Sequence, residues 1–194
     1  AGSWASKMKN CPQAKACFSS RQYGEECGVF GIALKEGSTL SAAHSVYTAL
    51  YTLQHRGQQT AGIASVDKGT FHLHKGPGLV PDVFGDKNLK TLTGPAAIGH
   101  VRYASGGDTA TINAQPLVVT HASGSMAVCY NGRLVNSDEL RRETENRGGI
   151  FQSSNSAEVI AYLLVRERMR AGTIEDAVIN AMQYMVGAYS VVLL

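Results

Sequence analysis

Cys27 stands in a setting that permits nucleophilic chemistry. It opens an apolar run in the segment EECGVFG, residues 25–31, where Gly28 and Gly31 leave the thiol without bulky neighbours. Small neighbours let a substrate approach the backbone. A cysteine at the head of a strand is otherwise a small hydrophobic residue of the core, so this segment alone allows both roles.

Three further segments place polar residues where elements are predicted to end. LQHRGQQTAGI, residues 53–63, is typical of a helix end that turns into a strand, and GHVRYAS, residues 99–105, is a strand that ends in a cation. In the segment YNG, a strand runs into Asn131 and Gly132. Asn-Gly is the commonest signal for a type I′ hairpin, so a plain turn is an alternative interpretation there.

In this order and spacing the segments resemble the glutaminase domain of class II glutamine amidotransferases, which belong to the N-terminal nucleophile hydrolases. The match covers residues 25–194. Within that class it looks most like the glutamine phosphoribosylpyrophosphate amidotransferases, through EECGVFGI, LQHRGQQTAGI, GHVRYAS, NAQPL, YNGRLVN and GAYSVVLL. Glucosamine-phosphate synthase and asparagine synthetase share the nucleophile but differ around these segments.

The resemblance implies a glutamine amidohydrolase that serves an amidophosphoribosyltransferase of purine biosynthesis. Cys27 would attack the side-chain amide of L-glutamine, and Asn131 and Gly132 would stabilise the oxyanion. Arg102 would hold the α-carboxylate of glutamine, because a planar guanidinium can make two charge-assisted hydrogen bonds. Three other positions fall on the lining of the same pocket: Arg56, Gly57 and Ser105.

This chemistry requires Cys27 to become the first residue. Removal of residues 1–26 would put an α-amine on the residue that carries the thiol, and such an amine has a pKa of about 7.7 to 8.0 in peptides and can act as the base. Residues 1–23 hold four basic residues and no acid, without helical or strand periodicity. We therefore expect residues 1–26 to be a disordered or cleaved leader, which faintly resembles an organellar transit peptide.

Ser156 departs from the family pattern. The resemblance places an aspartate there, which pairs with the α-ammonium group of glutamine. A hydrogen bond to a charged group is worth about 1.5 to 3 kcal/mol, so its loss would weaken binding roughly ten- to a hundredfold. The alternative to an active enzyme is therefore a catalytically impaired glutaminase-like domain that serves as a binding or assembly module.

Seven apolar runs and four helical patterns must position these residues. The strands are predicted at residues 29–34, 62–65, 71–74, 97–101, 117–120, 126–130 and 188–194. The helices are predicted at residues 40–54 with Ser38 as the cap, 137–147, 155–172 with an Asn155–Glu158 capping box, and 173–185 capped by Thr173. This order favours an α+β protein, and the resemblance specifies the four-layer αββα sandwich of the N-terminal nucleophile hydrolases.

Composition limits the class of protein. The 194 residues are 44% hydrophobic and 17% charged, which suits one globular domain, here residues 27–194. No apolar run reaches the roughly 20 residues of a membrane span, and the clustered arginines at positions 141–147 alternate with glutamates, unlike a nucleic-acid groove. Four unevenly spaced cysteines predict neither a disulfide framework nor a zinc site, so we expect a cytoplasmic protein without metal or cofactor.

The end of the sequence falls inside a predicted core strand. We therefore expect the glutaminase domain to be incomplete, and the family's phosphoribosyltransferase domain to be a partner that this sequence does not contain. An unpaired sheet edge at this point would favour association, including a homo-oligomer.

Overall fold

The computed structural model describes residues 27–35, 37–103, 111–122 and 124–194. Within these ranges the chain forms seven strands: β1 Gly28–Ala33, β2 Thr60–Asp67, β3 Thr70–Pro77, β4 Ala96–Arg102, β5 Leu117–His121, β6 Gly124–Leu134 and β7 Gly187–Leu193. A first sheet has the order β1-β4-β2-β3, and a second has the order β5-β6-β7. All neighbouring strands are antiparallel. Each of the seven predicted strands is confirmed.

Six helices accompany the sheets in the described part of the chain: α1 Ala42–Thr52, α2 Val80–Val83, α3 Asp86–Thr91, α4 Ser137–Asn146, α5 Ser156–Arg168 and α6 Ile174–Met182. Short 3-10 turns lie at Gln54–Arg56 and Thr111–Asn113. None of these helices has the length and apolar character needed to cross a bilayer. The sequence patterns predicted the four longer helices and missed α2 and α3.

The two sheets face each other across a shared apolar layer. Ala64 and Ile98 of the first sheet are buried together with Ala127 and Cys129 of the second. On the outer side of the first sheet, α1 buries side chains such as Leu50 against β2 and β4. On the outer side of the second sheet, α5 and α6 form the other apolar cluster. The order of layers is helix, sheet, sheet, helix, which confirms the predicted four-layer αββα sandwich.

The start of α1 differs from the prediction. Ser41 caps the helix, because its Oγ accepts a hydrogen bond from the backbone N–H of His44. Ser38 instead accepts from the backbone N–H of Leu40, two residues on, which closes a local turn. Leu40 is 66% exposed and lies before the helix, so the buried stripe rests on residues such as Val46 and Leu50. Several hydroxyl residues precede this helix, and the cap is the one nearest to it.

The hairpin interpretation of Asn131-Gly132 is wrong. Strand β6 continues through both residues to Leu134, and Gly132 lies opposite Tyr189 of β7. Gly132 has φ 128°, and a Cβ there would overlap the carbonyl oxygen of Ala188. The glycine is therefore required by the close approach of a strand that comes from much later in the chain, and not by a turn.

Candidate functional site

A cavity of about 450 Å³ opens where the ends of the two sheets meet. It is lined by Cys27, Arg102, Tyr103, Asn113, Gln115, Tyr130, Asn131, Gly132, Arg133, Ser154, Asn155 and Ser156. Five of the eight predicted site residues are in this set, although they are spread along the chain from residue 27 to residue 156. Their predicted roles remain predictions, but the fold brings them to one place.

Cys27 lies immediately before β1, beside the end of β4. Its Sγ is 3.4 Å from the backbone nitrogen of Tyr103, which donates to it, and 3.7 Å from the carbonyl oxygen of the same residue. The backbone of Cys27 has φ 46°, a left-handed conformation that is uncommon for residues other than glycine. Gly28 pairs with Val101 in the sheet. Cys27, directly before Gly28, is therefore held beside the residues that follow Val101.

Arg56 and Gly57 support the wall of the cavity and are not among its lining residues, which differs from the prediction. The Nε of Arg56 donates to the carbonyl oxygen of Cys27 at 2.8 Å. Gly57 is buried, and a Cβ there would lie 2.6 Å from the backbone carbon of Arg102. Arg56 thus holds the backbone of Cys27. Gly57 allows its own backbone to pack directly against the backbone of Arg102. Ser105 lies outside the described residues.

The charges on the lining residues are positive. Arg102 comes from the end of β4 and Arg133 from β6, and no carboxylate is present among the lining residues that the structure describes. Two guanidinium groups favour a ligand that carries negative charge, such as a carboxylate. The predicted role of Arg102 is compatible with this environment.

Ser156 is the first residue of α5, and its hydroxyl oxygen lies 2.9 Å from that of Ser137. The loop before it is held from two sides. Asn155 caps α5 through the backbone N–H of Ala157, and its side-chain nitrogen donates to the carbonyl oxygen of Asn113. Asn113 in turn donates to the hydroxyl of Ser154 at 3.0 Å. These hydrogen bonds connect the start of α5 with the segment before β5.

The predicted capping box is only half present. Asn155 is the cap, as expected, but the carboxylate of Glu158 does not bond the backbone of Asn155. It accepts hydrogen bonds from the backbone N–H groups of Gln152 and Ser153, at 2.8 and 2.9 Å, and from the Ser153 hydroxyl. The buried carboxylate therefore organises the whole loop that leads to Ser156.

His100 lies in the interior, next to the cavity wall. It is fully buried, and its Nε2 donates to the carbonyl oxygen of Tyr130 at 3.1 Å. Burial lowers the pKa of His100 to about 3, because the charged form loses its hydration, and the positive charges of Arg102 and Lys75 add to the shift. The ring is therefore neutral near pH 7, and its role is to hold the backbone carbonyl of Tyr130. Sequence reasoning did not single out this histidine.

Gln115 is a second such residue, which lies within the NAQPL segment and which no motif marks as a site residue by itself. It is buried, lines the cavity, and bonds the peptide groups of Tyr130 through both atoms of its side-chain amide. The available signal was weak, since a glutamine next to a proline is ordinary in a loop. Its partner could be identified only after the register of β5 and β6 was known.

Comparison with known proteins identifies the same family as the sequence motifs. Residues 100–194 match the family of glutamine amidotransferase domains. The amidophosphoribosyltransferase of Methanocaldococcus jannaschii is 48% identical over 168 residues, which are 87% of this chain and 35% of that protein.

Two solved structures share the fold. One is the allosteric regulatory enzyme of purine biosynthesis, with a TM-score of 0.76 and 40% identity over 86% of this chain and 35% of that one. The other is the glutamine phosphoribosylpyrophosphate amidotransferase of Bacillus subtilis in complex with ADP and GMP, with a TM-score of 0.74 and 40% identity over 86% of this chain and 34% of that one. This chain thus spans about a third of the length of the proteins it matches.

Proposed function

Because the chain belongs to the glutamine amidotransferase family, as the glutaminase region of an amidophosphoribosyltransferase, we propose that it hydrolyses the side-chain amide of L-glutamine at Cys27. The observation that carries the proposal is the meeting of three strands. Cys27 precedes β1, Arg102 ends β4, and Asn131 lies on β6, yet all three line one cavity.

The first step uses a thiol and an amine of the same residue. With Cys27 as the first residue, its α-amine takes the thiol proton, and Sγ forms a bond to the amide carbon of glutamine. The oxyanion that develops accepts hydrogen bonds from the Asn131 side chain and the Gly132 N–H. One such donor is worth about 3 to 4 kcal/mol of transition-state stabilisation.

The remaining steps release the products. The carbon–nitrogen bond breaks, and the leaving nitrogen takes the proton held by the α-amine and departs as ammonia. A γ-glutamyl thioester remains on Cys27. Water then attacks this thioester, which yields glutamate and restores the thiol. Arg102, which lines the same cavity as Cys27, holds the α-carboxylate throughout.

The relatives are named for a phosphoribosyl transfer and are about three times as long as the matched region. We extend the proposal accordingly: ammonia from this domain is consumed by a phosphoribosyltransferase domain in purine biosynthesis. The cytoplasm as its location and a homo-oligomer as its assembly belong to the same proposal.

The experiment combines mass, labelling and activity on one sample of purified protein. We expect an intact mass that lacks residues 1–26, labelling of Cys27 by a glutamine-analogue electrophile, and release of glutamate from glutamine. Cys27→Ala should abolish the labelling and the activity. Cys129→Ala is the matched control, because Cys129 is buried between the sheets and should leave both intact. Hydrolysis by a protein that still carries residues 1–26 would contradict the mechanism.

The second candidate is a catalytically impaired binding or assembly module. It is favoured by one feature, the absence of a carboxylate among the described residues that line the cavity, with Ser156 bonded to Ser137 instead. This candidate predicts a chain that stays uncleaved and does not react with the glutamine analogue. The mass and labelling experiment therefore separates the two functions.

A further inference from the structure

The nucleophile and the proposed oxyanion donors belong to different sheets. Cys27 precedes β1 of the first sheet, whereas Asn131 and Gly132 lie on β6 of the second. The distance between thiol and donors is therefore set by whatever fixes one sheet against the other near the cavity. Apolar packing between the sheets permits sliding more readily than directional hydrogen bonds do.

Gln115 takes the place of a strand beside Tyr130. The β5–β6 pairing ends with Leu117 opposite Val128, and continuation of that register would put Gln115 opposite Tyr130. Strand β5 begins only at Leu117, however, so the backbone of Gln115 is not part of this pairing. The side-chain amide of Gln115 makes both missing bonds: Oε1 accepts from the Tyr130 nitrogen at 2.6 Å, and Nε2 donates to the Tyr130 oxygen at 3.1 Å.

The first sheet holds the same peptide group and the same glutamine. His100 of β4 donates to the Tyr130 oxygen, so this carbonyl receives donors from two residues. On β2, a Cβ at Gly62 would overlap the carbonyl oxygen of Gln115, so the glycine makes room for it. On β3, the ammonium of Lys75 donates to the carbonyl oxygens on both sides of Gln115, those of Ala114 and Pro116, at 2.6 and 3.3 Å.

We propose that Gln115 is a positioning residue for amide hydrolysis, which sets Asn131 and Gly132 in place relative to Cys27. It acts through Tyr130, the residue directly before Asn131, and both polar atoms of its amide are engaged there. The proposal rests on the proposed function, because Asn131 and Gly132 are the oxyanion donors only in that reaction. A displacement of about 1 Å at a catalytic group can cost about 100-fold in rate.

The test is steady-state glutamine hydrolysis by the full protein with Cys27 as its first residue. Gln115→Met keeps the volume of the side chain and removes both hydrogen bonds. We expect kcat to fall by about 10- to 100-fold with KM changed less than about twofold, since the oxyanion exists only in the transition state. Alkylation of Cys27 by iodoacetamide, which needs no oxyanion donor, should keep its rate.

A double-mutant cycle shows whether Gln115 acts through Asn131. In an Asn131→Ala background, Gln115→Met should lower kcat by a clearly smaller factor than in the wild-type protein, because one of the two donors that it positions is already gone. Additive losses would overturn the proposal, and so would an unchanged kcat in the single variant of an active enzyme. Inactive wild-type protein would instead sink the proposed function, so the two failures are distinguishable.

The matched control is Asn136→Leu. Asn136 also clamps backbone through both atoms of its amide, accepting from the Val186 nitrogen and donating to the Tyr184 oxygen, and it does not line the cavity. Its loss should lower stability and leave kcat unchanged.

If Gln115→Met does not fold, Lys75→Met removes the anchors of the same segment, and it should lower kcat without changing the alkylation rate. Equal losses in kcat and alkylation would contradict a positioning role.

Discussion

From the family pattern we expect an aspartate at position 156 that would face the ammonium group of glutamine, and this chain has Ser156 there. Its hydroxyl is engaged with Ser137, and the described lining of the cavity offers two guanidinium groups and no acid. Among the described lining residues, the α-carboxylate of an amino acid finds two cations, whereas its α-ammonium finds only neutral oxygen acceptors. Selectivity between an amino acid and its deaminated analogue should therefore be low.

Ser156→Asp should lower KM for glutamine at least several-fold, because a carboxylate at this position gives the ammonium group an ionic partner. The measurement is steady-state kinetics of glutamate release. The control substrate is the monoamide of glutaric acid, which has no ammonium group and should gain nothing from the change. A KM for glutamine that stays the same or rises would show that Ser156 does not lie at the ammonium site.

Single site residues were predictable where a motif surrounds them. Cys27, Arg102 and Asn131 each stand in a distinctive segment, and the fold brings them to one cavity. Gln115 and His100 were not predictable, because each bonds the backbone of a residue that is distant in the sequence. No motif in the sequence indicates which residue that partner is. Their partner, Tyr130, is identified only by the pairing of strands and by the packing of one sheet on the other.

Strands were the easiest elements to predict. Short β-branched and apolar runs between glycines identified all seven, including β2, which is buried along most of its length. The two missed helices, α2 and α3, have only four and six residues, too few to show a helical period. The length of β6 was also missed, since its second half is defined by its partner β7 and not by its own residues.

Gly62 of β2 is the element-level test of the contact between the sheets. In Gly62→Ala, the added methyl group would meet the Gln115 carbonyl, so the segment before β5 must move. We expect a loss of about 1 to 3 kcal/mol in the free energy of unfolding, measured with urea, together with a lower kcat. The matched control is Gly172→Ala, where no atom lies within 4 Å and stability should change little. Equal effects of the two changes would contradict the close contact.

At the scale of the whole molecule, the four layers enclose a titratable group. His100 is fully buried between the sheets, beside the carbonyl of Tyr130, and its pKa falls to about 3 because the charged ring cannot be hydrated there. The unfolded chain returns this histidine to its ordinary pKa of about 6.5. Below that pH the unfolded state binds a proton that the folded state does not bind.

Stability should therefore fall as the pH decreases from about 6.5 towards about 3, by up to about 1.4 kcal/mol per pH unit from this residue. Above pH 6.5 both states are neutral and the contribution is constant. Urea unfolding at pH 7 and pH 5 measures the change, and NMR of the ring should show no titration of His100 above about pH 4. His44→Gln is the control: because the ring of His44 is exposed, its removal should leave the pH dependence of stability unchanged. Titration of His100 near pH 6.5 would contradict its burial.

If residues 1–26 are removed as proposed, the left-handed backbone of Cys27 has a consequence for that cleavage. A residue other than glycine with φ 46° carries a cost of about 1 to 3 kcal/mol, which arises from crowding between its side chain and the flanking peptide groups. That crowding involves the carbonyl of the residue before it. Once the bond to that carbonyl is broken, the torsion angle no longer exists and its energy is released. The folded protein would thus favour scission at this bond over its re-formation, by a factor of about five to 150 relative to a relaxed chain.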